Sequence, residues 1–173
     1  MTDFHGFYQQ YAPIVRRFAV FLCGNPALAD DITSETFVRV WTAESKIRES
    51  TVKAYLFTIA RNLYRDFLRR NARRADMEEA ETMPDPRPSL ESQVEQRSEL
   101  DAAMALLQQL PEIDRAALLM HVQEEMPYQE IGEALGLPPV TVKVKVHRAR
   151  LKLLRMRTAL RPATNLKEAT DER

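Results

Sequence analysis

The sequence predicts an all-α protein: two small helical domains joined by a flexible, acidic, proline-containing linker. Three observations carry this. Only 4 of the 173 residues are glycine. Apolar residues recur at three- and four-residue intervals almost everywhere, the spacing that puts them on one face of a helix. That periodicity stops in ADMEEAETMPDPRPSLE, residues 75–91, where three prolines and a cluster of acids replace it, a composition that favours an extended spacer over a packed element. The expected layout is a first domain over residues 1–75, a linker over 76–98, a second domain over 99–161 and a polar tail, PATNLKEATDER, over 162–173.

In the first domain, GNPALADDITSETFVRVW carries a full set of helix punctuation. Gly24 ends one helix, Asn25 caps the next, and Pro26 suits the first helical position because its missing N–H would be unpaired there anyway. Asp30 and Asp31 follow near the positive end of the helix dipole. This helix is expected from about Pro26 to Thr42, burying Ile32, Phe37, Val40 and Trp41. A third helix starts near Ser50 or Thr51 and runs through VKAYLFTIARNLYRDFLRRNARR, with Val52, Tyr55, Leu56, Ile59, Leu63 and Phe67 as a continuous apolar face. Phe57, Tyr64 and Leu68 widen that band and are read as core. Beside it runs a narrow polar strip of Thr58, Arg61, Asn62, Arg65 and Arg69.

The second domain holds PPVTVKVKVHRARLKLLRMR, residues 138–157, whose first part alternates apolar and basic residues as a strand would. At roughly 100° per residue, however, Val142, Val146, Ala149, Leu153 and Met156 fall on one helical face. HRARLKLLRMR continues that face and has no strand period, so the segment is read as a helix starting at Thr141 or the Pro-Pro pair. Upstream, MPYQEIGEALGL supplies a short helix with Ile131, Ala134 and Leu135 inward, then a turn at Gly136, Leu137 and Pro138. Short helix, glycine turn and basic helix make a helix-turn-helix, the arrangement that presents its second helix to the major groove. Opposite the apolar face lie Val144, His147, Arg148, Leu151 and Arg155, flanked by Lys143, Lys145, Arg150 and Lys152. Residues 143–161 contain eight basic side chains and no acid. Such side chains neutralise phosphates, while residues early in the second helix reach base edges; an outward Val144 suits a thymine methyl.

Charge distribution supports this division. The 25 basic and 25 acidic residues cancel overall, yet residues 1–75 hold 12 basic and 7 acidic, 76–101 hold 2 and 9, and 102–173 hold 11 and 9. A single cysteine, Cys23, excludes an internal disulfide, favours a reducing cytoplasm, and is expected to serve packing. No apolar run is long enough to cross a bilayer, so no membrane insertion is expected. His5, His121 and His147 have no ligand spacing to Cys23 or to one another, and neither a glycine-rich phosphate loop nor a nucleophile motif occurs. No metal, cofactor or catalytic residue is expected. His121 is placed in the helical core of the second domain or at its edge.

LLQQLPEIDRAALLMHVQEEMPYQEIGEALGLPPVTVKVKVHRARLKL resembles region 4 of sigma-70 family transcription initiation factors, particularly the extracytoplasmic-function (ECF) group. FYQQYAPIVRRFA, ALADDITSETFVRVW and KAYLFTIARNLYRDFLRR resemble their region 2 in order and spacing. The resemblance spans about residues 4–157, without a recognisable intermediate domain. It implies a cytoplasmic, non-enzymatic protein that directs core RNA polymerase to promoter DNA. On this basis Thr58, Arg61, Asn62, Arg65 and Arg69, with the preceding loop KIRESTV, would capture the unwound strand of the minus-ten element. Thr141, Lys143, Val144, Lys145, His147 and Arg148 would read the minus-thirty-five duplex. Asp30, Asp31, Ser34, Glu35 and Arg39 would dock on the clamp helices of the polymerase β′ subunit.

Three readings stay open at this level. Asp66 matches a family position, but it can instead orient Arg65, Arg69 or Arg70. Leu151 and Leu154 either meet the polymerase β flap or are covered by the C-terminal tail. The linker either mimics nucleic acid inside the polymerase or is a solvated spacer. An anti-sigma factor is a further partner that the resemblance admits. The sequence departs from the family pattern at Val140 and Val144, where glycine and serine are usual, and at Gly132, where alanine is common. The competing class is a stand-alone helix-turn-helix regulator whose first domain senses or dimerises.

Overall fold

The computed structural model describes residues 3–43, 52–79 and 99–160. Seven helices occur among the described residues and no strand: α1 (Phe4–Cys23), α2 (Pro26–Thr42), α3 (Val52–Glu79), α4 (Glu99–Gln108), α5 (Glu112–Glu124), α6 (Tyr128–Leu135) and α7 (Pro139–Leu160). The KIRESTV loop apart from Val52, most of the linker and the C-terminal tail lie outside the described residues.

The punctuation works as its chemistry requires. Gly24 takes a left-handed conformation with φ 69°, and its N–H closes the last turn of α1 on the Val20 carbonyl. The Asn25 side chain then accepts from the Leu28 N–H at 3.1 Å, and Pro26 opens α2. α3 runs further than the sequence predicts: residues 76–79, assigned to the linker, continue the helix to Glu79. None of residues 76–79 is a proline or a glycine, so none of them breaks the backbone hydrogen-bond ladder.

α1, α2 and α3 pack as a bundle, with Phe18 and Phe57 fully buried and their ring centroids 4.4 Å apart. α5, α6 and α7 form the second group, centred on Met120, Ile131, Val142 and Val146. Phe57 and Tyr64 are core, as expected, whereas Leu68, which widens the same band, is exposed where α3 runs past the bundle. Trp41 is not core either: it is 62% exposed, resting edge-on against Phe4 at the rim. It sits at the end of a surface helix, where Phe4 is its ring contact among the described residues.

The two halves are in contact. α1 packs against α4 and α5, and α3 packs against α6, so the buried residues of both form one continuous apolar cluster. No helix among the described residues is long and apolar enough to cross a membrane.

Candidate nucleic-acid interface

The second half presents its basic helix by way of a tight turn. Gly136 stops α6 with φ 67°, a left-handed conformation that glycine adopts without strain. Gly132 is needed for a different reason: a Cβ there would sit 2.4 Å from the Leu137 carbonyl oxygen. The turn therefore folds back onto α6 so closely that alanine has no room. The Leu137 N–H donates to the Gly132 carbonyl at 2.9 Å, which holds the turn shut. α7 then starts at Pro139, with Val140 exposed in its first turn.

On α7, Val142, Val146 and Ala149 are buried and Leu153 and Met156 half-buried, so the helical reading of VTVKVKV holds and the face is the expected one. Lys143, Val144, His147 and Arg148 are exposed on the opposite side, and Thr141 is half-buried. Lys145 differs from its neighbours. Its ammonium lies 3.0 Å from a carboxylate oxygen of Asp114, whose side chain is only 4% exposed. Lys145 thereby ties α7 to α5 and neutralises a buried charge. Leu151 and Leu154 are exposed at the far end. His121 is at the edge of the core, its Nδ1 3.2 Å from the Met126 carbonyl and its ring 4.7 Å from that of Tyr128.

The strip on α3 is divided rather than uniformly open. Asn62, Arg65 and Arg69 are exposed. Thr58 is half-buried: its hydroxyl bonds the Ala54 carbonyl at 2.7 Å and lies 3.2 Å from the Ala134 carbonyl of α6. Arg61 is only 7% exposed, and it donates from Nε and Nη2 to the two Glu112 carboxylate oxygens at 2.7 and 2.9 Å. At Thr58 and Arg61 the strip is covered, because α5 and α6 lie over that end of α3. Asp66 accepts a hydrogen bond from Arg69 one helical turn away.

Beside this strip, Arg39, Leu63, Asp66, Arg69, Arg70 and Arg73 line an open cleft of about 340 Å³ between α2 and α3. Arg39, expected in protein docking, and Arg69, expected on DNA, therefore share one concavity. Arg70 and Arg73 join them because α3 continues for several turns past Leu63. On α2, Asp30, Asp31, Ser34, Glu35 and Arg39 are all exposed. Asp30 pairs with Arg16 of α1 at 2.6 Å and Glu35 with Arg39 at 3.1 Å. Sequence reasoning missed Val38, which is exposed between Glu35 and Arg39. An apolar residue one turn after Ser34 and two turns after Asp31, on an otherwise polar face, was the available signal.

Glu112 and Glu124 were also missed. The Glu124 side chain is 3% exposed and is held by Lys53 at 2.9 Å and by Arg17. No periodicity reveals such long-range partners. The Cys23 thiol is half-buried and donates to the Asn25 carbonyl at 3.2 Å; burial, its largest influence, raises its pKa. Burial likewise raises the pKa of the Tyr64 phenol, partly opposed by the nearby Arg115 guanidinium.

With this geometry in place, comparisons with known proteins converge. Residues 7–74 match the family model for Sigma-70 region 2, and residues 100–153 match that for Sigma-70 region 4. The chain is similar to the ECF RNA polymerase sigma factor SigE of Mycolicibacterium smegmatis, at 36% identity over 84% of this chain and 58% of that protein. It is also similar to the ECF RNA polymerase sigma factor EcfG of Rhodopseudomonas palustris, at 35% identity over 82% of this chain and 77% of that one. The chain thus spans little more than half the length of the first of these relatives. Among solved structures, the sigma factor RpoE of Bartonella quintana, in complex with the anti-sigma factor NepR, superposes with a TM-score of 0.76. That match has 24% identity and covers 93% of this chain and 100% of the other. CnrH, in complex with the cytosolic domain of CnrY, gives a TM-score of 0.66 at 22% identity, covering 91% and 89%. These two likenesses concern the fold.

Proposed function

The chain belongs to the sigma-70 family of RNA polymerase sigma factors, in its ECF group, and from that premise we propose that it directs core RNA polymerase to specific promoters and opens them. The observation that carries this reading is the coexistence of two exposed nucleic-acid-type surfaces on one chain. One is the row Lys143, Val144, His147 and Arg148 on a helix held out by a tight turn; the other is Asn62, Arg65 and Arg69 on α3.

The two surfaces suit different forms of DNA. A basic helix carried by a helix-turn-helix fits the intact major groove, where lysine and arginine hold phosphates and side chains near the helix start meet base edges. We assign Thr141 and Lys145 to the same reader, Thr141 at the helix start and Lys145 as the residue that fixes the angle of α7 through Asp114. The α3 strip fits a separated strand. Asn62 offers both a donor and an acceptor to a base edge, and Arg65 and Arg69 hold the backbone. Thr58 and Arg61 complete this strip when α5 and α6 are displaced.

Core polymerase is the expected protein partner. Asp30, Asp31, Ser34, Glu35 and Arg39, joined by Val38, face the β′ clamp helices in this reading, while Leu151 and Leu154 face the β flap. An anti-sigma protein is a further partner, as NepR is of the Bartonella RpoE. The role requires no covalent chemistry and places the chain in the cytoplasm. The domains expected from sequence, 1–75 and 99–161, would grip the minus-ten and minus-thirty-five elements respectively.

Mapping the transcript starts that purified core polymerase plus this chain makes on genomic DNA tests the reading. Clustered starts absent with core alone are expected; an unchanged start profile overturns it. A stand-alone regulator would instead bind a specific duplex tightly without polymerase.

A further inference from the structure

Two of the five strip residues on α3 are occupied by the chain itself, and the occupant has the chemistry of the ligand it excludes. Glu112 sits in the first turn of α5 and sends both carboxylate oxygens onto Arg61. A planar guanidinium forks onto a carboxylate in the same way as onto two phosphate oxygens. One fork cannot hold both. Beside it the Ala134 carbonyl takes the Thr58 hydroxyl. At the other edge of the contact, Glu124 is almost fully enclosed and binds Lys53 and Arg17 together. Arg115 stiffens the platform from behind, donating to the Leu107, Gln108 and Leu110 carbonyls at the end of α4 while its Nη2 lies 3.5 Å from the Tyr64 hydroxyl of α3.

We propose that Glu112 and Glu124 form an ionic latch that closes the second half of the chain over Thr58 and Arg61, so that the latch and a separated DNA strand compete for the same guanidinium. The proposal rests on the strand-capturing reading of α3. Two acids of the second half are matched to three bases of the first, Arg17, Lys53 and Arg61. Ion pairs repay much of their gain as lost hydration, so such a contact is specific but releasable, which a reversible closure needs. Asn62, Arg65 and Arg69 stay open in the closed form. An incoming strand therefore has a first foothold from which it can displace Glu112.

The test uses the full chain without polymerase. Donor and acceptor dyes are placed at Gln9→Cys and Thr158→Cys in a Cys23→Ser background, and a short fluorescein-labelled single strand of mixed sequence is titrated separately. Glu112→Gln and Glu124→Gln are expected to lower energy transfer, and Glu112→Gln to tighten strand binding about tenfold, the scale of one charge-assisted hydrogen-bond fork. Glu112→Lys, which repels Arg61, should go further, and helical circular dichroism should match wild type in all three. Adding the strand to the wild-type chain should itself lower transfer. Unchanged transfer in both glutamine variants overturns the latch. Lowered transfer with unchanged strand affinity overturns the competition, even if promoter starts are intact. Because the comparison of the glutamine variants with wild type by transfer is made without DNA, a chain that opens on neutralising Glu112 but starts no transcripts leaves closure standing and removes the transcriptional reading instead.

Discussion

The Arg61 guanidinium of α3 and the Glu112 carboxylate of α5, 51 residues apart in the chain, meet through two parallel hydrogen bonds of 2.7 and 2.9 Å. The sequence marks Arg61 as a strand-binding cation, while nothing local to Glu112 marks it as its partner. Their meeting divides the α3 strip into a covered half and an open half, and the two halves call for different experiments.

In the open half, Asn62 is the residue with base-edge chemistry. Replacing it with alanine should slow initiation on duplex promoters by about tenfold or more, since a good bidentate base contact contributes roughly 1–3 kcal/mol. Pre-melted templates should restore the rate, because they bypass strand capture during opening. An unaltered start rate on duplex templates counts against the role.

Lys143 and Lys145 are two residues apart on α7 and should behave differently. Lys143→Ala removes an exposed cation, so it should weaken duplex binding by the holoenzyme, lower the salt-dependence slope by about one, and leave thermal stability unchanged. Lys145→Ala leaves the buried Asp114 carboxylate without its cation, at a cost of about 3 kcal/mol. Thermal unfolding and a salt titration of promoter binding together separate the two.

Both turn glycines should resist substitution, for different reasons and by different amounts. Gly136→Ala has open space for its Cβ but keeps a positive φ, so about 1 kcal/mol is expected from backbone strain alone. Gly132→Ala drives a methyl into the Leu137 carbonyl, and the turn and α7 must shift; about 3 kcal/mol is expected, in the range for overpacking. If chemical denaturation reverses this order, the close approach is not the reason for Gly132.

Above neutral pH the burial of Tyr64 and Cys23 sets the direction of change. Burial raises both pKa values from ordinary values of 10.0 and 9.0. The folded chain therefore holds these protons more tightly than the unfolded one. Their contribution to stability is complete below the unfolded pKa values and is lost as pH rises through the folded ones. Phenolate absorbance followed through an alkaline titration should show a tyrosine signal that ionises later in the folded chain than in the urea-unfolded one and is absent from Tyr64→Phe, and Cys23 should react with iodoacetamide more slowly than in the urea-unfolded chain. Equal thiol reactivity in the two states contradicts the burial.

The helices, their caps and their inward faces were legible from the chain alone because each depends on neighbours within about four residues. Asn25 caps the helix it precedes, Gly136 stops the one it follows, and Val142, Val146 and Ala149 share a face by angle alone. The helix-turn-helix and its outward basic row were legible for the same reason. What the sequence left undecided depends on groups far apart in it. Trp41 is as apolar as Phe37, and only its place at the rim, past the contact of α2 with the other helices, leaves it exposed. Lys143 and Lys145 are the same residue type in the same run, and only the position of Asp114 makes one a tether while the other stays exposed. Arg61 and Arg65 sit one turn apart on one helix, and only the packing of α5 and α6 buries the first and leaves the second in water. Local hydrogen bonding and periodicity determine secondary structure; the exposure of a charged group is determined by which distant carboxylate reaches it, and that belongs to the tertiary fold.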